Sequence, residues 1–122
     1  MSSSRFASVD DYLESLEPVK AHTLRQVIEH ILGQASGLQV RLAWNVPQIC
    51  RGSDYVFGVS AAKHHLALAP WSADVIDAFR PRLEAGGFLV KKNLFQVPAD
   101  WEVDTALLNE LVAARLAELA PA

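Results

Sequence analysis

Lys63, His64 and His65 crowd into one turn, Ala61 to His65, between two apolar segments of the stretch from Trp44 to Pro70. Histidine titrates near neutrality and offers a ring nitrogen as base or ligand, while lysine supplies a compact cation. Neighbours in an extended strand point to opposite faces, so His64 and His65 do not chelate one metal. His65 could hold one ring nitrogen on a backbone carbonyl and present the other to a ligand. The competing reading is a histidine that satisfies its hydrogen bonds at a strand end. Lys63, His65 and Lys92, with Arg41 and the flanking Trp44, would make a cationic rim suited to a carboxylate or phosphate. Against it stands the reading of solvated, independent turn lysines. The candidate ligand-binding residues are therefore Trp44, Lys63, His65 and Lys92, with no catalytic residue and no metal ligand assigned.

Other reactive side chains carry less. Asp10, Asp11, Glu14 and Glu17 form an acidic edge that an iron carrier could use, but acidic residues near a helix start are stabilising by themselves. Cys50, between Ile49 and Arg51, lacks an adjacent base and reads as a packed residue. His22 and His30 fall on the polar face of a helix. Trp44, Trp71 and Trp101 read first as packing aromatics. Arg80, Arg82, Lys91 and Lys92 are too scattered among aromatics for a nucleic-acid groove. The chain holds no phosphate-loop glycine motif, nucleophile elbow or paired-histidine helix motif.

The elements that position these residues follow from periodicity. Ser8 caps a short helix with Val9, Tyr12, Leu13 and Leu16 on one face. Pro18 opens a longer one with Leu24, Val27, Ile28, Ile31 and Leu32 as its apolar stripe, ending at Gly33 and Gly37. The period then becomes two. Val40, Leu42 and Trp44 alternate with polar neighbours, Asn45 to Pro47 interrupts, and a second strand covers Gln48 to Arg51. Gly52 to Asp54 turns the chain into a strand with Tyr55, Phe57 and Val59 on one face, and His65 to Ala69 follows. Ser72 caps a helix that Pro81 should break or kink near Arg80. A hairpin turns at Lys91, Lys92 and Asn93, and Asp104 caps a last helix to about Leu119.

Short turns between successive strands force antiparallel pairing, so the fold class is α+β: one domain over residues 1–122, with five to six mostly antiparallel strands and helices on one face. The 122 residues, 51% hydrophobic and 20% charged, suffice for one core. A formal net charge of -3 supplies no field to draw the molecule onto nucleic acid or anionic lipid. Met1 to Ser4 lacks the start of a secretory signal, no apolar run approaches the roughly 20 residues of a membrane span, and a single cysteine excludes an internal disulfide. A cytoplasmic location is expected.

Several landmarks carry a family resemblance over nearly the whole chain. Val9 to Leu13, Trp44-Asn45-Val46-Pro47, Tyr55 to Ala62, Lys63 with His65, Leu66 to Pro70, and Lys92 to Pro98 together resemble the YdhG-like family of small bacterial domains, domain of unknown function 1801. Asn45 and Asn93 stand for glycines and Val46 for a methionine; asparagine tolerates positive φ best among non-glycine residues. The resemblance implies the α+β fold. One branch is described as frataxin-like iron chaperones, which brings in iron by analogy alone, with the cofactor otherwise unknown.

The expected function is a non-enzymatic binding domain that engages a small anion or a protein partner through its sheet-edge turns. Iron delivery is the alternative, and a third reading makes His65 a general base beside Lys63 and Lys92. An uncovered apolar sheet face would point to a homodimer.

Overall fold

The computed structural model describes residues 5–119. α1 (Val9–Glu14) starts where the Ser8 hydroxyl accepts the Asp11 N–H at 3.1 Å. α2 (Pro18–Leu32) begins on its proline, and buries Leu24, Val27, Ile28 and Ile31. Four strands follow in sequence: β1 (Leu38–Ala43), β2 (Val46–Arg51), β3 (Asp54–Ala61) and β4 (Leu66–Ala69). α3 (Ala73–Ala85) is capped by the Ser72 hydroxyl, the hairpin is β5 (Leu89–Val90) and β6 (Phe95–Val97), and α4 (Thr105–Leu119) starts on the Asp104 carboxylate.

These strands make one sheet in the order β1-β2-β3-β4-β6-β5, and every neighbouring pair is antiparallel. The α+β expectation holds, with the helices on one face. Ile49, Phe57, Val59, Leu66, Leu68, Phe95 and Val97 join residues of all four helices in a single apolar cluster. By register, Arg41, Gln48, Gly58, Ala69 and Gln96 belong to the opposite face, and the helices of the described residues pack on the other one. No helix among the described residues is long and apolar enough to cross a membrane.

Three local expectations are corrected. Pro47 does not interrupt a strand: it lies inside β2 opposite Leu42, and β2–β3 pairing begins at the next residue, Gln48 opposite Gly58. The missing N–H thus falls where that ladder has not yet started. Tyr55 does not share a face with Phe57, because the register jumps between Ile49↔Phe57 and Cys50↔Tyr55, leaving Val56 as the extra residue of a bulge. Finally, of the break or kink expected near Arg80 the break is absent: α3 is one helix through Pro81. Ile76 before the proline and Leu83 after it are both fully buried, and this packing outweighs the roughly 3 kcal/mol that an interior proline costs.

Tyr12 ties α1 to the sheet: its buried hydroxyl accepts the Ala61 N–H at 2.9 Å. Burial pushes this phenol above the ordinary range, and the Ala61 bond pulls it partly back. An acid whose folded pKa is raised contributes stability that is complete below its unfolded pKa and is lost as pH rises through the folded value. Unfolding monitored by circular dichroism should therefore show stability falling above about pH 10. Tyr12→Phe should flatten that fall and cost about 1–3 kcal/mol at neutral pH, because the Ala61 N–H loses its acceptor. An unchanged alkaline slope in the variant would place the titration elsewhere.

Candidate functional site

Successive hairpins of an antiparallel sheet turn at alternate ends, and this decides where the sequence-derived candidates lie. The β3–β4 turn is closed by the Ala62 N–H donating to the His65 carbonyl at 2.8 Å. Lys20 of α2 donates to the Ala62 and Lys63 carbonyls, each at 2.9 Å, while pairing with Glu17 at 3.0 Å. Lys63 and His64 are exposed and His65 is half-buried. Leu66 pairs with Val97 and Leu68 with Phe95, so the Lys91–Leu94 turn lies at the far end of β4. Four residues at about 3.3 Å each separate the two turns. The single rim of Lys63, His65 and Lys92 does not assemble.

Trp44 has different company. It and Asn45 form the two-residue β1–β2 turn between the paired Ala43 and Val46, with φ of 54° and 63°. Positive φ at both central positions is the type I′ geometry that matches strand twist, normally built from Asn and Gly. Trp71, just past β4, also has a positive φ, 56°. A bulky aromatic in this region costs about 1–2 kcal/mol. Both backbones direct their indoles onto the uncovered sheet face, where the bulge has delivered Tyr55. Tyr55 and Trp71 stack with centroids 4.7 Å apart and planes at 21°. Trp44 leans on both, 5.2 Å from Tyr55 and 5.4 Å from Trp71.

Beneath the rings the floor is polar and fixed. Gln48, only 5% exposed, accepts the Trp71 indole N–H on Oε1 at 2.8 Å and lies over Gly58, whose missing side chain leaves it room. Arg41 reaches inward from β1 until its guanidinium stands 5.8 Å from the Tyr55 ring centre, a cation–π contact. Arg115 Nε holds the Tyr55 carbonyl at 3.0 Å from the helical side. Cys50 lies on the same face, but burial pushes its thiol up while Arg41 pulls it partly back, so it stays a protonated, packed residue. Trp44 remains 67% exposed. Beyond Trp71 the surface continues into a cleft of about 420 Å³ against Asn93 and Leu94, next to Lys92.

The result is a stacking surface with one cation at its margin. Of the expected residues it contains Trp44 and Arg41. Tyr55 is missed because the bulge reverses its parity, and Trp71 is read first as a packing aromatic because no periodicity places a residue outside an element beside Trp44. At the acidic edge, Asp10 pairs with Arg25 at 3.2 Å and Glu17 with Lys20. Among the described residues no three His, Cys, Asp or Glu side chains converge as a metal-holding group.

Comparison with known proteins bears on the architecture. No family model matches the chain. The crystal structure of YdhG, a DUF1801 family protein of Bacillus subtilis, superposes with a TM-score of 0.82 at 23% identity, covering 89% of this chain and 88% of that one. The chain has the YdhG fold. An uncharacterized conserved protein of Lactobacillus casei shares it more distantly, with a TM-score of 0.62 at 18% identity over 92% of each chain. In sequence, 103 residues are 24% identical to a Bacillus subtilis protein named intracellular iron chaperone frataxin, spanning 84% of this chain and 83% of that protein. The YdhG fold is a scaffold; activity has to be argued from the site it carries.

Proposed function

We propose that this protein is a non-enzymatic binding module whose ligand surface is the Trp44–Tyr55–Trp71 patch with Arg41. Its ligand is a flat organic ring bearing a carboxylate or phosphate. One observation carries the reading: two tryptophans occupy strained positive-φ positions, their rings converge, and one of them is left 67% exposed. Backbone strain persists where the surroundings over-determine it, and such residues cluster at ligand sites. An exposed indole offers a ring the stacking geometry worth about 0.5–1.5 kcal/mol beyond area burial, and Arg41 supplies a planar, always-charged partner for the anion.

Intrinsic tryptophan fluorescence tests this directly, titrated with indole-3-acetate and with a nucleoside monophosphate as the carboxylate and phosphate arms. Saturable quenching by either is expected. Trp44→Gly separates ligand binding from folding: glycine removes the αL penalty and loses only a mostly exposed ring, so stability should change by less than about 1 kcal/mol. Affinity, followed on the remaining tryptophans, should fall at least tenfold. Loss of stability with affinity intact would make Trp44 a packing residue.

Iron carriage is the second reading, supported by the name of the Bacillus subtilis relative. Fe(II) would then be cargo held weakly by exposed carboxylates such as Asp11 and Glu14, not a resident cofactor. Fe(II) forms an arm of the same titration under anaerobic conditions, with NMR line broadening at α1 as its readout. Broadening there without quenching by the ring anions favours iron over the stacking ligand.

A further inference from the structure

The two edges of the sheet differ. β5, at one edge, has two residues, as edge strands commonly do when they are kept from pairing with other chains. β1, at the other, has six residues in unbroken register with β2 from Leu38↔Arg51 to Ala43↔Val46, with no bulge and no proline of its own. Among the described residues it pairs with no other strand, and no turn or loop backbone bond involves residues 38–43. Its one charge, Arg41, is exposed, with its guanidinium 5.8 Å from the Tyr55 ring centre on a face of the sheet and not in the line of edge N–H and C=O groups.

We propose that the outer edge of β1 is the interface of a two-fold homodimer, in which β1 pairs antiparallel with its own copy about Val40. The sequence of the strand is nearly palindromic there: Leu38, Gln39, Val40, Arg41, Leu42. A two-fold axis at Val40 sets Leu38 against the partner's Leu42 and Val40 against itself on the helical face. It sets Gln39 against the partner's Arg41 on the other face, a polar pair without like charge. Opposed residues of an antiparallel pair share a face, so any axis falling between two residues would oppose an apolar side chain to a polar one and is excluded by parity. An axis at Arg41 opposes two like charges, which destabilises. Axes at Gln39 or Leu42 engage fewer strand residues. The Val40 axis alone uses five residues, the first five of the strand, without a conflict.

A groove beside the strand supplies the remaining contact area. Along the helical side of β1 lies an open groove of about 680 Å³, floored by Phe6, Val9, Ile28, Leu32, Val40 and Leu42. These side chains are packed on the core but, Ile28 apart, only partly buried. The rim carries Asp10, Arg25 and Glu29, so two copies facing across a two-fold axis meet with both signs present. Joining the strands brings the two grooves mouth to mouth and makes one continuous sheet of twelve strands.

Sedimentation velocity on the full chain, from micromolar to hundreds of micromolar, should show a concentration-dependent dimer. Val40→Cys should then be trapped as a covalent dimer under mild oxidation, since only residues at the axis meet their own copies at disulfide distance. Arg41→Cys should cross-link at least tenfold more slowly, and Cys50, 1% exposed, does not compete. Val40→Asp should remain folded by circular dichroism and sediment as a monomer. A wild-type monomer at every concentration overturns the proposal. So does a dimer in which the two cysteine variants cross-link equally or Val40→Cys does not cross-link.

Discussion

Phe57→Ala should destabilise the protein by about 3–5 kcal/mol, the range for deleting a large aromatic from a packed core. Phe57 has no exposed surface and stands on β3, an interior strand, opposite Ile49. Its ring meets the helical layer from the middle of the sheet, where backbone pairing on both sides keeps the strands from closing over a void. A domain of this size is stable by roughly 5–15 kcal/mol, so the variant should be marginal at physiological temperature. Urea denaturation followed by circular dichroism should show a much lower midpoint with little change in slope. A loss below about 1 kcal/mol would mean that the bulge turns Phe57, and not Tyr55, away from the helices.

That bulge marks the limit of what could be read from the residues. The helices were legible because their signals are local: Ser8, Ser72 and Asp104 each accept the backbone N–H three residues on, as their types and positions imply. The alternation Val40, Leu42 correctly placed the core face of β1. On β3 the same rule failed, since one extra residue at Val56 reverses parity and nothing in Tyr55-Val56-Phe57 announces it. Asn45 takes the positive φ anticipated for it, at 63°, whereas Asn93 is not among the non-glycine residues that do. Trp44 was legible as a candidate residue, but not the company it keeps. Tyr55 and Trp71 reach it through the bulge and through a positive φ after Pro70, both consequences of the sheet as a whole. Lys63 and Lys92 were separated for the same reason: which turns share an end depends on strand order, which spacing does not encode.

Gly58 offers the sharpest test of how the aromatic patch is supported. Its φ is not among the positive values, so the backbone there accepts any residue. Space is the constraint. A Cβ at this position would overlap Gln48 Oε1 and stand 3.2 Å from its Cδ and 3.3 Å from its Nε2. A flexible side chain would normally swing aside, but Gln48 is 5% exposed and its Oε1 is held by the Trp71 indole N–H at 2.8 Å. Gly58→Ala should therefore displace the carboxamide and break that bond, costing about 2–4 kcal/mol from overpacking and the lost hydrogen bond together. It should also shift Trp71 emission and loosen its stacking on Tyr55. In a Gln48→Ala background the obstacle is gone, and Gly58→Ala should become nearly neutral. The resulting coupling between the two positions should be about 1–3 kcal/mol in a double-mutant cycle. Equal costs in both backgrounds would mean that glycine is needed for the strand itself, and that the floor beneath the rings is not what holds them in place.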